Sequence, residues 1–179
     1  MTLNLIKNNK LVLKSIISHK LTNKEINEIC SLKDKQWKFG IKSQFKWFKD
    51  NIKKYDLHNL FYIRSKLIGY TLLRKRTYKI KNQNKNKNYL LFDTLIIDKK
   101  YRDIKLSSLL MNFNNIIIKQ SGFLSFLICN DKLVNFYKKN TWKKLNKKKF
   151  YIADHPFLTN GMIFNEINFN KKCIFHIKK

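Results

Sequence analysis

The stretch Asp98–Leu110, "DKKYRDIKLSSLL", joins one apolar run to another through a basic turn that contains no glycine. Before it, Tyr89–Ile97 reads "YLLFDTLII", and such near-continuous apolarity predicts a central strand covered on both faces. After it, Leu106, Leu109, Leu110, Phe113, Ile116 and Ile117 recur at helical spacing, which predicts a helix with one face against a sheet. A strand that passes through a tight turn into a helix is a place to hold phosphate. The first N–H groups of the helix have no partner within it, and its dipole favours an anion. Here the turn carries Lys99, Lys100, Arg102 and Lys105.

Working outward, "LVLKSII" (Leu11–Ile17) predicts a strand, and "LTNKEI" a helix start with Thr22 as N-cap and Glu25 closing a capping box. A second helix is expected from Ser43, with Phe45, Phe48 and Ile52 on one face. Asn59–Arg76 reads as two strands joined by a turn near Ser65 and Lys66, and Asn82–Asn88 as a polar loop. Past the central helix, Phe123–Cys129 predicts a strand parallel to Tyr89–Ile97. Asp131 is the expected N-cap of a short helix that ends at a left-handed Asn140. Thr141–Leu145 and Gly161–Ile167 are the expected closing strands of one domain spanning residues 1–179.

Two motifs on these elements resemble those of the GNAT superfamily of acyl-CoA-dependent N-acyltransferases. "IIDKKYRDIKLSSLL" resembles the superfamily's pyrophosphate motif V-x-P-x-x-R-G-x-G-x-G, with Ile97 at the valine, Arg102 at the arginine, and Asp103, Lys105 and Ser107 at the glycines. "NDKLVNFYKKNTW" resembles the second motif N-x-x-A-x-x-F-Y-x-x-x-G-F, with Asn130, Phe136, Tyr137 and Trp142 in register. The element order β-α-α-β-β-β-α-β-α-β extends the resemblance to nearly the whole chain. It implies an α/β fold with a central twisted mixed sheet, whose fourth and fifth strands are parallel and splayed, flanked by helices.

The resemblance also implies acetyl-CoA as cosubstrate and direct transfer of its acetyl group to a primary amine. The pantetheine arm would pair with the backbone of Leu95, Ile96 and Ile97 near Asn130 and Phe136. The diphosphate would lie over Arg102, Asp103, Ile104, Lys105, Leu106 and Ser107. Tyr137 takes the role of general acid to the leaving thiolate. Asp93, an acid inside an apolar strand, is the expected base, because burying a carboxylate there is costly without a function or a partner. His58, two residues after Asp56, is a second candidate base, and His155 a weaker one. The aromatic residues Trp37, Trp47 and Phe48 are expected to wall the acceptor site.

Thirty-nine Lys and Arg residues against eleven Asp and Glu give a formal charge of +28. An AT-rich coding bias explains abundant Lys, Asn and Ile but not scarce acids, so selection for anionic partners stands beside it. An anionic amino sugar or nucleotide-linked sugar suits this charge as acceptor. The rival reading is a non-catalytic module that binds nucleic acid or ribosome. Cys30, Cys129 and Cys173 lie far apart among apolar residues and read as buried free thiols; no metal-ligand spacing is present. No apolar run reaches the ~18 residues that span a bilayer, so a cytoplasmic protein is expected, either monomer or homodimer.

Overall fold

The computed structural model describes residues 10–83, 85–153, 160–166 and 172–178, with residues 103 and 104 by backbone only. The strands are β1 (Leu11–Ile17), β2 (Leu57–Ile63), β3 (Lys66–Ile80), β4 (Asn86–Ile97), β5 (Ser125–Cys129), β6 (Lys143–Lys144), β7 (Phe150–Ile152), β8 (Asn160–Phe164) and β9 (Cys173–Phe175). The helices are α1 (Asn23–Trp37), α2 (Ile41–Asn51), α3 (Leu106–Ser121) and α4 (Asp131–Lys139). The strands form one mixed sheet in the order β1-β2-β3-β4-β5-β8-β6, with β9 paired to β3 and to β7. As the apolar pattern predicts, β4 and β5 are parallel.

The chain divides into two compact units, residues 1–73 with 94–114, and residues 74–93 with 115–179. In the first, Ile16, Ile29, Leu32, Leu60, Tyr70 and Ile96 form one core cluster, and Phe61, Ile68, Ile97, Leu106 and Leu110 another. Thr22 caps α1 in a full capping box with Glu25, whose carboxylate also binds Lys14 Nζ at 2.8 Å. Tyr62 donates its hydroxyl to Glu28 at 2.9 Å, a second tie between α1 and the sheet. Gly69 is what lets α3 lie close. A Cβ there would stand 2.8 Å from Ile97 Cδ1 and 3.3 Å from Leu110 Cδ2.

Beneath α3, the buried Asn114 receives hydrogen bonds on Oδ1 from Asn59 Nδ2 and Thr71 Oγ1, both at 2.6 Å, and donates to Leu110 O at 2.6 Å. Removing one partner from such a network costs about 1–3 kcal/mol for each stranded group. In the second unit, Tyr78, Tyr89, Phe126 and Phe175 pack ring on ring, with Phe126 and Phe175 stacked at 4.0 Å between centroids. The three cysteines are free and buried.

Several expected boundaries shift for local reasons. Helix α2 begins at Ile41, because Gly40 at φ 86° supplies the entry turn and Ser43 falls inside the first turn. Asn130, not Asp131, caps α4, its Oδ1 accepting Leu133 N–H at 3.3 Å. The left-handed residue after α4 is Thr141 (φ 70°), while Asn140 stays at φ −98°. Strands β7 and β9, three residues each, have no alternation that would predict them. Part of the expected strand to Ile167 lies outside the described residues, as does His155.

His58 is fully buried in β2. Its Nε2 lies 2.9 Å from Ser18 Oγ and its Nδ1 2.9 Å from Tyr70 Oη, with the ring stacked between Phe48 and Tyr70. Burial, and then the Lys33 cation, push its pKa from 6.5 down to about 3, with Glu25 opposing. The folded state therefore keeps His58 neutral at pH values where the unfolded chain takes up a proton, so this stabilisation is full above pH 6.5 and drains as pH falls toward 3. Urea unfolding at pH 7 and 4.5 should show wild type losing about 2–3 kcal/mol more than His58→Gln over that interval. Equal losses would mean that the imidazole is charged when folded.

Candidate active site

The parallel pair β4/β5 is short. Leu90 pairs with Ser125 and Leu91 with Phe126, and no further pairs form, although β4 runs to Ile97 and β5 to Cys129. Leu90 N–H donates to Leu124 O at 3.0 Å, and Ser125 Oγ donates to Leu90 O at 2.7 Å, which ties the closed end. On its other edge β5 pairs with β8 along its whole length, from Ser125↔Phe164 to Cys129↔Asn160. So β5 stays with β8 while β4 leaves it. Strand edges opened this way present N–H and C=O groups that need partners.

Beside the opening, the buried Phe92 meets Tyr137 edge-on at 6.2 Å and Trp142 at 5.4 Å. Tyr137 sits on α4 with Phe136, half-buried, against its ring at 5.2 Å. Only 6% of Tyr137 is exposed, and among the described residues its hydroxyl has no hydrogen-bond partner. Burial, aided by the neighbouring Cys129 thiol, raises its pKa well above that of an ordinary tyrosine. At neutral pH it is a phenol and a proton donor.

Trp142 is fixed from two sides. Its ring stacks on Phe164 at 5.5 Å, and its Nε1–H donates to Asn115 Oδ1 at 3.0 Å. Asn115 also donates to Asn140 O at 3.0 Å, so one buried amide sets the end of α4 and with it the tyrosine. Sequence reasoning missed Asn115. Its signal was a polar pair, Asn114–Asn115, set between Phe113 and the apolar run Ile116–Ile118.

Asp93 is the next residue after Phe92, and strand alternation turns it to the opposite face of β4. Its Oδ2 accepts from Arg74 Nη1 at 2.8 Å, with the Asp93 side chain 26% exposed and that of Arg74 8%. The partner that an acid in this strand requires is thus Arg74, which the sequence reading left unassigned. The tie makes Asp93 a held, solvent-reachable carboxylate. His58, by contrast, is sealed in the core with both ring nitrogens engaged and Asp56 bonded to Lys53 N–H instead, so it is not a base open to an amine.

In the first unit, the basic stretch forms a 3-10 turn over Lys99–Ile104, which includes Asp103. Asp98 caps it through Lys100 N–H, and Asp98 N–H bonds to Ile68 O at 2.7 Å. Arg102, expected to reach phosphate, points its Nε–H at Ile97 O (3.0 Å) and its Nη2 at Gln36 Oε1, a brace between α1 and the end of β4. Lys105 is left-handed (φ 52°, ψ 17°), the conformation that a glycine adopts without cost. Its side chain is exposed, Leu106 is buried, and Ser107 half-buried at the head of α3. Leu95 is half-buried and Ile96 and Ile97 are buried.

A cavity of about 190 Å³ lies against this turn, lined by Leu32, Ile97, Lys35, Lys99, Lys100 and Arg102 among others. Its cations suit an anionic ligand. Trp47 and Phe48, expected to wall an acceptor site, pack instead against the core of the first unit; Trp37 remains exposed. Among the described residues no cluster of His, Cys, Asp and Glu could hold a metal ion, and no helix is long and apolar enough to cross a membrane.

Neither the protein-family models nor the curated proteins compared with the chain match it. Solved structures do. YhbS, a GNAT family N-acetyltransferase from Escherichia coli in complex with CoA, superposes with a TM-score of 0.67 at 10% identity, covering 94% of this chain and 90% of its own. An acyl-CoA N-acyltransferase from Pseudomonas aeruginosa gives 0.63 at 12% identity, and ElaA from Escherichia coli 0.60 at 13%; each covers 87% of this chain and 99% of its own. Identities this low speak for architecture alone, and the architecture is shared over most of the chain: it has the GNAT fold.

Proposed function

We propose that the protein is an N-acetyltransferase that uses acetyl-CoA to acetylate a primary amine by direct transfer. The observation that carries this reading is a β4/β5 pair that stops after two residues with the buried Tyr137 phenol against Phe92 beside it. Acetyl-CoA supplies the activated acyl group. The backbone of Leu95–Ile97 would receive its pantetheine arm as an added strand. Ser107 and the first N–H groups of α3 would receive the diphosphate, with Lys105 adding charge.

Tyr137 gives its phenolic proton to the departing sulfur as the new C–N bond forms and the C–S bond breaks. A raised pKa suits that task, because the hydroxyl stays protonated until a stronger base appears. Asp93, on the other face of β4, accepts the proton that the amine loses, directly or through water. The acceptor class that suits the net charge is an anionic amine, such as an amino sugar on a nucleotide.

Steady-state assays with acetyl-CoA and a panel of amino sugars test this reading. Tyr137→Phe should lower kcat by about 10-fold or more with the Kd for CoA unchanged; an unchanged kcat returns Tyr137 to packing. Asp93→Asn should depress the rate most at low pH, where an amine most needs a base, and a profile identical to wild type removes it from the mechanism. Lys105→Gly separates charge from backbone shape. Relief of the left-handed lysine should stabilise the fold by about 1 kcal/mol in urea. Acetyl-CoA binding should weaken by a comparable amount and depend less on salt, since a charge pair is lost. Tighter binding would make Lys105 an obstruction and favour a non-catalytic module.

A further inference from the structure

The corner between α1 and α2 displays apolar side chains on an ordered backbone. After Trp37 the chain turns left-handed at Lys38 (φ 53°), whose N–H bonds to Asp34 O at 2.7 Å. The Asp34 carboxylate accepts Gly40 N–H at 2.7 Å, and Gly40 opens α2. On this pinned turn Phe39 is 70% exposed, and Trp37, Ile41 and Phe45 are exposed as well. Ile41 and Phe45 are four apart, on one face of α2. Gln44 is buried and, further along the helix, Trp47 and Phe48 pack against the core, so Ile41 and Phe45 are the apolar side chains that α2 leaves outside it.

The rim of this patch is cationic. Residues 35–49 contain five lysines and no acid, and Lys35, Lys38, Lys42, Lys46 and Lys49 are all exposed. Lys46 pairs with Asp50, and Lys35 lies 4.0 Å from Asp98. Lys38, Lys42 and Lys49 form no ion pair among the described residues. What covers the patch must be apolar within and anionic at its edge. A second copy fails that requirement, because it would set one lysine rim against another on a chain of charge +28. Single-stranded nucleic acid offers planar bases to Trp37, Phe39 and Phe45, but nothing that suits the branched Ile41. An anionic bilayer interface takes all four side chains in its outer acyl layer and all the lysines at its phosphates.

We propose that the α1–α2 corner docks the protein on an anionic phospholipid membrane, with Phe39 and Ile41 inserted and Lys38, Lys42 and Lys49 at the headgroups. The test is co-sedimentation of the full chain with vesicles of phosphatidylcholine, alone or with phosphatidylglycerol at about a third of the lipid. Binding should require the anionic lipid and shift tryptophan emission to the blue as Trp37 leaves water. The double variant Phe39→Ser, Ile41→Ser, which removes only exposed groups, should partition about 10-fold or more weakly at unchanged Tm. Lys147→Gln with Lys148→Gln, a charge loss remote in sequence, should leave partitioning near wild type. Absence of binding at low salt overturns the proposal, as does binding indifferent to the apolar variant, which would reflect net charge alone. A loss of single-stranded oligonucleotide binding in the apolar variant, with vesicle binding intact, would overturn it in favour of nucleic acid.

Discussion

The constraint on which the rest depends is the unequal pairing of the two edges of β5. Five residues of β5 pair with β8, but only two pair with β4. Antiparallel pairing gives β8 perpendicular hydrogen bonds, whereas a parallel neighbour is slightly less stable per residue. Beyond Leu91, Phe92 turns its ring to Tyr137 and Trp142 and Asp93 gives its carboxylate to Arg74. Beyond Leu91 that edge of β4 carries no pairing with β5.

Two adjacent amides in α3 do different work for this arrangement. Asn114 holds the sheet through Asn59 and Thr71, and Asn115 holds the chain beyond α4 through Asn140 and Trp142. Residues one apart on a helix point about 100° from each other, so a single helix can carry two polar anchors without merging them. Directional bonds in an apolar surround fix rotation and height in a way that greasy contacts do not. That is a reason for amides to occupy positions where the apolar periodicity would have put leucine.

What the sequence disclosed follows from which interactions are local. The capping box of Thr22 and Glu25, the periodicity of α3 and the apolar run of β4 are all satisfied within a few residues or by plain burial, and each appears where it was expected. The mates of polar groups are not local. Asp93 finds Arg74 nineteen positions away, and His58 finds Ser18 at forty, so neither a paired carboxylate nor a sealed imidazole could be told from a free one. Arg102 shows the same limit in another form. A cation beside a phosphate-type turn reads as an anion binder, yet its guanidinium fork is matched to two acceptors of the protein itself, Ile97 O and Gln36 Oε1. The two short strands β7 and β9 were illegible because three residues are too few for alternation to register.

The glycine-free turn shows how a backbone shape can outlast the residue type that makes it easy. A left-handed lysine costs roughly 1–2 kcal/mol relative to a right-handed conformation. Its neighbours supply the compensation. Leu106, one residue on, is almost wholly buried beside Leu110 and Ile97, and burying a leucine side chain contributes about 1.5–3 kcal/mol. Asp98 N–H on Ile68 O and the Arg102 brace fix the entrance of the turn, so a right-handed Lys105 would have to lift Leu106 from its cluster or break the brace. Tertiary packing therefore sets the shape here, and the side chain at position 105 is free to be chosen for charge. A turn specified from outside can be basic and still present the head of α3, which is why the missing glycines do not by themselves argue against a phosphate ligand.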